Sequence, residues 1–436
     1  MSHVRGILHA GRLGGLASAD LAARFGTPFY AYDLDVVTRQ VEDLRAALPV
    51  AFDLSYAVKA NPNLAVLGHI AGLGLGADVA SGGELRHVLR AGFAPDRVVF
   101  TGPGKRDEEL SAAVEAGVRV VTVESRGELR RLAAIGEALG RRQPVLLRAA
   151  VAGVGVTEPR GEAGVDITGK FGMDHRELRI AAAEAFASPW LDPLGLHAFG
   201  ASNVTDADAL ATHVEATVEA AIEVAASAGF ELRLVDAGGG LGIAYADGDA
   251  ELDLGALGTR LAVLARRMAA SSATRGVRVI LEPGRFLVGA SGAYVTRVVD
   301  RKLMDGRPVV IVDGGIHHLL RPALVGREQR VVALTGRAAA GTGGQAPSAA
   351  PVMLAGPLCT GLDVFARAAD MEAPDVGDLV GVLDAGAYGA TESMPFFHSH
   401  PLPAEVARRG GEAWHARARV EPVAWLDWQT AGPPGA

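Results

Sequence analysis

Lys59 closes the apolar, β-like run Ser55-Tyr56-Ala57-Val58 and opens the turn Ala60-Asn61-Pro62-Asn63 ahead of a helix. An amine at the carboxyl end of a strand can condense with a carbonyl to form a Schiff base. A lysine with its ordinary pKa of about 10.4 is a poor nucleophile at neutral pH, so this role needs desolvation or a cationic neighbour. A structural lysine, with its stem on apolar surface and its ammonium in water, has the same local sequence.

Four further segments carry chemistry-bearing residues. In Asp236-Ala237-Gly238-Gly239-Gly240-Leu241-Gly242, which comes after a strand and is expected to open a helix, bare backbone amides could cradle a phosphate with the help of the helix dipole. A tight turn needing positive φ would use the same glycines. Ile243 stands where a dinucleotide fingerprint would place another glycine, which favours a single phosphate over a nicotinamide cofactor. Glu282 and Arg285, in Leu281-Glu282-Pro283-Gly284-Arg285, could face one ligand as a carboxylate for a protonated ring nitrogen and a guanidinium for an anion, or form a structural ion pair. Cys359, in Gly356-Pro357-Leu358-Cys359-Thr360-Gly361-Leu362-Asp363, lies in a turn-rich loop, where a thiol with Asp363 close behind can donate a proton or be no more than an inert small hydrophobe. Tyr388, among the small residues of Asp384-Ala385-Gly386-Ala387-Tyr388-Gly389, can reach a ligand from the side. The pairs His317-His318 and His398-Ser399-His400 lack metal-site spacing, and no metal is expected.

These residues need a scaffold that gathers them. Eight short β-branched runs, near 52–59, 76–81, 98–102, 119–124, 145–150, 194–199, 233–237 and 278–283, alternate with stretches of helical period. An open doubly wound sheet shares this pattern, but eight successive units favour an α/β fold with a closed (β/α)8 TIM barrel. Lys59, Ser81, Ser202, Gly238–Gly240 and Arg285 would then meet at one mouth. After residue 285, Val-rich runs at Tyr294–Val299, Val309–Val312 and Leu379–Leu383 predict a mostly β domain. The expected division is a barrel over 27–285 and a β domain from 1–26 and 286–436, with the N-terminal segment supplying a strand. Ala338–Ala350, rich in Ala, Gly and Ser, reads as a surface loop.

A chain of 436 residues with net charge −8 suits two cores and disfavours nucleic acid. The single cysteine excludes an intrachain disulfide, the N-terminus lacks a signal-peptide core, and no apolar run is long enough for a membrane span, so a cytoplasmic location is expected.

Together, Tyr-Ala-Val-Lys-Ala-Asn, Asp78-Val79-Ala80-Ser81, the glycine run, Glu282-Pro283-Gly284-Arg285, Gly-Pro-Leu-Cys with Asp363, and Asp-Ala-Gly-Ala-Tyr-Gly occur in the order found in fold type III PLP-dependent decarboxylases, and the chain resembles that family from Gly26 to about Pro401. The family contains the diaminopimelate, ornithine and arginine decarboxylases and shares its barrel with alanine racemase. The resemblance implies pyridoxal 5'-phosphate as cofactor, Lys59 as its Schiff-base lysine and Glu282 as partner of the pyridinium nitrogen. It also implies a phosphate cradle of Gly238, Gly239, Gly240, Arg285 and Ser202, with Tyr388 touching the phosphate. Cys359 would enter from the second subunit of a homodimer with shared sites to return a proton to the substrate.

Two departures bear on the substrate. Thr360 follows the cysteine where the diamino-acid decarboxylases usually carry an acid that reads the distal amine. At the ring-stacking position Phe199 replaces the family's histidine, in His197-Ala198-Phe199-Gly200-Ala201-Ser202. With Asp-Gly-Gly-Ile-His-His, these departures resemble the subgroup acting on aminoacyl groups tethered to an acyl carrier protein in antibiotic biosynthesis, which implies a glutamyl- or methylaspartyl-like cargo and a carrier-protein partner. Thr360 and Asp363 would then border the substrate, as would the loop Thr157–Lys170. Arg321 resembles a substrate-carboxylate contact of the diaminopimelate decarboxylases, although Val325 replaces the tyrosine expected after it. Decarboxylation of free meso-diaminopimelate is therefore the alternative. Two other readings are a racemase and an inactive, PLP-binding regulatory homologue, the latter opposed by retention of Lys59, Glu282, Arg285, Cys359 and Tyr388.

Overall fold

A computed structural model describes residues 6–9, 12–150, 169–200, 202–336 and 350–430. The chain separates into two compact units, one comprising Thr38–Ala244 and Ala250–Leu287, the other Met1–Val37, Tyr245–Asp249 and Val288–Ala436.

In the first unit, strands β1 (Phe52–Ala57), β2 (Gly76–Val79), β3 (Val98–Phe100), β4 (Val120–Val123), β5 (Gln143–Arg148), β6 (Leu191–His197), β7 (Leu234–Asp236) and β8 (Arg278–Leu281) are all parallel, and β8 pairs back onto β1 to close the barrel. Strands covered on both faces read as continuous apolar runs rather than alternating ones, and β3, β4 and β7 are buried at every residue. Val99, Val120, Leu146, Leu234 and Ile280 pack into one cluster across five strands. Many of the helices start where the sequence supplies a cap. The side chains of Asn63, Ser81, Ser125, Asp174, Asp206 and Asp253 accept first-turn amides, each a contribution of about 1 kcal/mol. Ser81, expected at the mouth, follows β2 there and serves as a cap, its hydroxyl accepting the Glu84 amide at 3.1 Å.

The second unit is built on a nine-stranded sheet. Its long strand Gly292–Met304 pairs antiparallel with Phe29–Asp33, Arg307–Val312 and Leu379–Leu383. Phe29–Asp33, placed in the barrel by a boundary at residue 27, lies inside this sheet, flanked on its other side by parallel Ala404–Arg409. All five of its residues are buried, and Phe29 and Ala31 join Ala293, Val295 and Val406 in the core. The segment before it belongs to the same unit, where Leu8–His9, Arg12–Leu13 and Leu16–Ala17 form a small sheet of their own. Nearly all of the expected loop Ala338–Ala350 lies outside the described residues. Among the described residues no helix is long and apolar enough to cross a membrane.

Candidate functional site

Because the strands are parallel, the residues at their carboxyl ends gather at one mouth. Lys59 follows β1 in the one-turn helix Val58–Ala60, and its ammonium lies 2.9 Å from Asp78 on β2. Asp78 is buried and also accepts the hydroxyl of Thr101, which follows β3. Burial, and then repulsion from Glu282, raises the Asp78 carboxyl, while Lys59 and Thr101 oppose that rise. A cavity of about 370 Å³ opens here, lined by Lys59, Thr101, Arg148, His197, Phe199 and Glu282 among others, a volume suited to a small ligand. Of its charged groups, Arg148 is fixed by Glu124 at 2.5 Å and lies over the Phe171 ring.

Glu282 and His197 are buried at the cavity wall, with the His197 Nε2 to Glu282 carboxylate distance 3.7 Å. Burial alone would raise the Glu282 carboxyl, but His197, Lys59 and a hydrogen bond shared with Asp236 outweigh it and hold it well below the usual carboxylate range. His197, Asp236 and Glu282 bring donor atoms within 4.8 Å of one another.

Past the glycine run the chain departs from expectation. No helix opens there: Leu241 bridges to Val204, and the next helix is Leu254–Ala270. A helix dipole therefore does not act at this turn. Gly238 and Gly240 have φ of 66° and 99°, and a Cβ on Gly239 would stand 2.3 Å from the Glu282 carbonyl oxygen, so both the turn and the close approach demand glycine. The Gly238 amide is already donated to Asp236 at 2.9 Å, which leaves it out of any anion cradle. Arg285 donates to Ser202 Oγ at 3.3 Å, bringing those two residues together.

The remaining expected residues belong to the β unit. Cys359 is exposed on the loop between strands Val352–Ala355 and Val364–Ala369. Asp363 is buried, with its oxygens accepting the amides of Leu358 and Ile316 at 2.7 Å each, so it shapes this loop from within. The Thr360 hydroxyl accepts the Leu362 amide at 3.3 Å. Tyr388 has φ of 54°, a left-handed conformation costly for a bulky residue. Arg321 is 1% exposed, with its guanidinium carbon 3.5 Å from the Tyr245 ring centroid, and burial lowers its pKa to about 10. His317 is wholly buried against His318 and His400, and burial lowers its pKa to about 4. The specificity loop expected at Thr157–Lys170 lies outside the described residues up to 168.

Comparison with known proteins bears on this geometry. Residues 34–289 match the model of the pyridoxal-dependent decarboxylase family's pyridoxal-binding domain. The chain belongs to the pyridoxal-dependent decarboxylases. This decarboxylase is 31% identical over 402 residues to the L-glutamyl-[BtrI acyl-carrier protein] decarboxylase of Niallia circulans, covering 90% of the chain and 91% of that relative. It is 34% identical over 393 residues to the diaminopimelate decarboxylase of Neisseria meningitidis serogroup A, covering 90% and 92%. Among solved structures, diaminopimelate decarboxylase from Helicobacter pylori complexed with L-lysine superposes with a TM-score of 0.83 at 27% identity, covering 94% of this chain and 98% of that one.

The barrel mouth fits the family's cofactor chemically. Lys59 brings an amine and Glu282 a buried carboxylate to one cavity of the decarboxylase, and Arg285 and Ser202, which do not line that cavity, pair with each other and carry anion donors. Sequence reasoning left Thr101, Arg148 and Asp236 without roles. Their signal was positional, each falling at or just beyond a strand's carboxyl end.

Proposed function

We propose that this decarboxylase removes the α-carboxylate from an acidic aminoacyl group, glutamyl or 3-methylaspartyl in type, held as a thioester on an acyl carrier protein. The observation that carries the reading is the Cys359 loop. Thr360 occupies the place of the distal acid, and the adjacent carboxylate, Asp363, is buried with its oxygens bonded to backbone amides. A cationic substrate tail would thus meet no available counter-ion on this loop. A thioester arm needs none. The Niallia circulans relative supports the same choice.

In this reading Lys59 leaves Asp78 to hold the cofactor, Glu282 pairs with the ring nitrogen, Phe199 covers the ring face, and Arg285, Ser202 and the Gly239 and Gly240 amides hold the phosphate. The family resemblance assigns Tyr388 to that phosphate as well. Bound pyridoxal phosphate supplies the sink for the electron pair left on Cα when CO2 departs. The Cys359 thiol of a partner subunit then gives Cα its proton, and the active form is a homodimer with shared sites.

Decarboxylation of free meso-diaminopimelate is the second reading, favoured by the diaminopimelate decarboxylases at 33 to 34% identity. Burial of Arg321 against Tyr245 weighs against its use as a carboxylate clamp.

The test is intact-mass spectrometry of glutamyl- and methylaspartyl-loaded carrier proteins incubated with the PLP-loaded enzyme, alongside the free amino acids and meso-diaminopimelate. Loss of CO2 from a tethered substrate alone is the expected result. Loss from free diaminopimelate alone would replace this reading with the second.

A further inference from the structure

Asp236 ends β7 fully buried and does not line the cavity. One of its oxygens, Oδ1, accepts the Gly238 amide at 2.9 Å. Oδ2 meets no conventional donor, and neither does Oε1 of Glu282, although both atoms are shielded from solvent. Two apposed, desolvated carboxylates cannot both be ionised, and one proton between them gives each an otherwise missing partner. Burial, followed by repulsion from Glu282, raises the Asp236 carboxyl well above the usual range, so the proton belongs to Asp236 and the charge to Glu282. Other charged or titratable groups acting on the pair are His197, Asp78 and Lys59.

We propose that Asp236 is a positioning residue, donating through one carboxyl oxygen to Glu282 and accepting the Gly238 amide through the other, so that a single side chain fixes both the acid and the glycine turn. This rests on the reading of Glu282 as the ring-nitrogen partner. The backbone carries the same coupling, since the Glu282 amide donates to the Gly238 carbonyl at 2.8 Å. A rotation of Glu282 would therefore be resisted by side chain and main chain together. The role is one of a neutral donor, and it separates from a role as a second negative charge by a substitution of the same shape.

Asp236→Asn keeps an acceptor for Gly238 and a donor for Glu282, whereas Asp236→Ala removes both. Pyridoxal phosphate titrations of the full-length apoprotein, read by absorbance, and apoprotein melting between pH 6 and 9 test the role. Asp236→Ala should lose about tenfold or more in cofactor affinity and melt earlier, with Asp236→Asn restoring affinity to within about threefold of wild type and recovering the melting temperature. Affinity in Asp236→Asn as poor as in Asp236→Ala, or an unchanged Asp236→Ala, would overturn the proposal. If Asp236→Ala does not fold, Asp236→Asn decides alone: a loss of about tenfold or more in affinity rejects the neutral-donor role. Glu282→Gln is measured in parallel. Undiminished turnover there would remove the ring-nitrogen reading, while apoprotein melting of the Asp236 variants would still report the hydrogen bond.

Discussion

At the scale of single residues, the glycine run shows how a motif can be legible while its reason is not. Three consecutive glycines are as compatible with a phosphate loop at a helix N-terminus as with a tight turn. The structure makes a different demand on each: positive φ at Gly238 and Gly240, and at Gly239 the backbone of Glu282 pressing from the next strand. Gly239→Ala should therefore act through Glu282. Its Cβ would overlap the Glu282 carbonyl oxygen, and relief requires moving the backbone that carries the acid. We expect a destabilisation of about 1–3 kcal/mol and weakened cofactor binding, measured by apoprotein melting and pyridoxal phosphate titration. Gly68→Ala, in the helix Leu64–Gly72, is the contrast: its Cβ makes an ordinary contact with Ala91 O at 3.7 Å, and the helix should be unharmed or stabilised. Lys59, Glu282 and Arg285 stood out in the sequence because each breaks an apolar run. Arg148 and Asp236 also end strands, but the ion pair and shared proton that give them meaning join residues 24 and 46 positions apart.

The elements themselves were the most legible layer. Buried parallel strands leave an uninterrupted apolar signature, and caps such as Ser125 and Asp253 mark helix starts. The helix expected after Gly240 failed because the chain is drawn instead toward 203–204: Asn203 accepts the Ile243 amide and Val204 donates to Gly240. Phe29–Asp33 was misplaced for a similar reason, since a short buried strand looks alike in a barrel and in a mixed sheet. The β8–β1 seam that closes the barrel also carries a polar feature that no strand pattern reveals. Asp53 on β1 accepts from Arg278 of β8 at 2.5 Å and from Arg119, just before β4, at 2.9 Å. Burial works to raise the Asp53 carboxyl, but the hydrogen bonds from Arg278 and Arg119 outweigh it and hold it below its ordinary value. A carboxyl whose folded-state pKa is depressed adds stability above its unfolded value, near ~3.9, and loses it as pH falls through the folded value. The partners are partly exposed, so the contribution is modest, about 1 kcal/mol. Melting curves should place Asp53→Asn below wild type by this amount at pH 6, with the difference closing as the pH is taken below about 4.

At the scale of the whole molecule, the proposed chemistry asks where the proton for Cα comes from. Cys359 is exposed on its own chain, and Leu362 beside it is 61% exposed. A thiol serving a site from which water is excluded needs another surface to cover it, and a second copy would do so twice by symmetry. Complementation between inactive variants tests this directly. Lys59→Ala removes the amine and Cys359→Ala the thiol, and each homodimer should be nearly inactive. In a mixed dimer, the site built on the Lys59-bearing chain receives its cysteine from the other chain and is intact, while its twin lacks both groups. Equal mixing and then subunit exchange makes half the dimers mixed, each with one working site, so about a quarter of wild-type decarboxylation should return. If lysine and cysteine of one site came from the same chain, no mixture would recover activity. Measuring CO2 release as the mixing ratio is varied therefore decides whether the sites are shared, with a maximum at equal amounts expected.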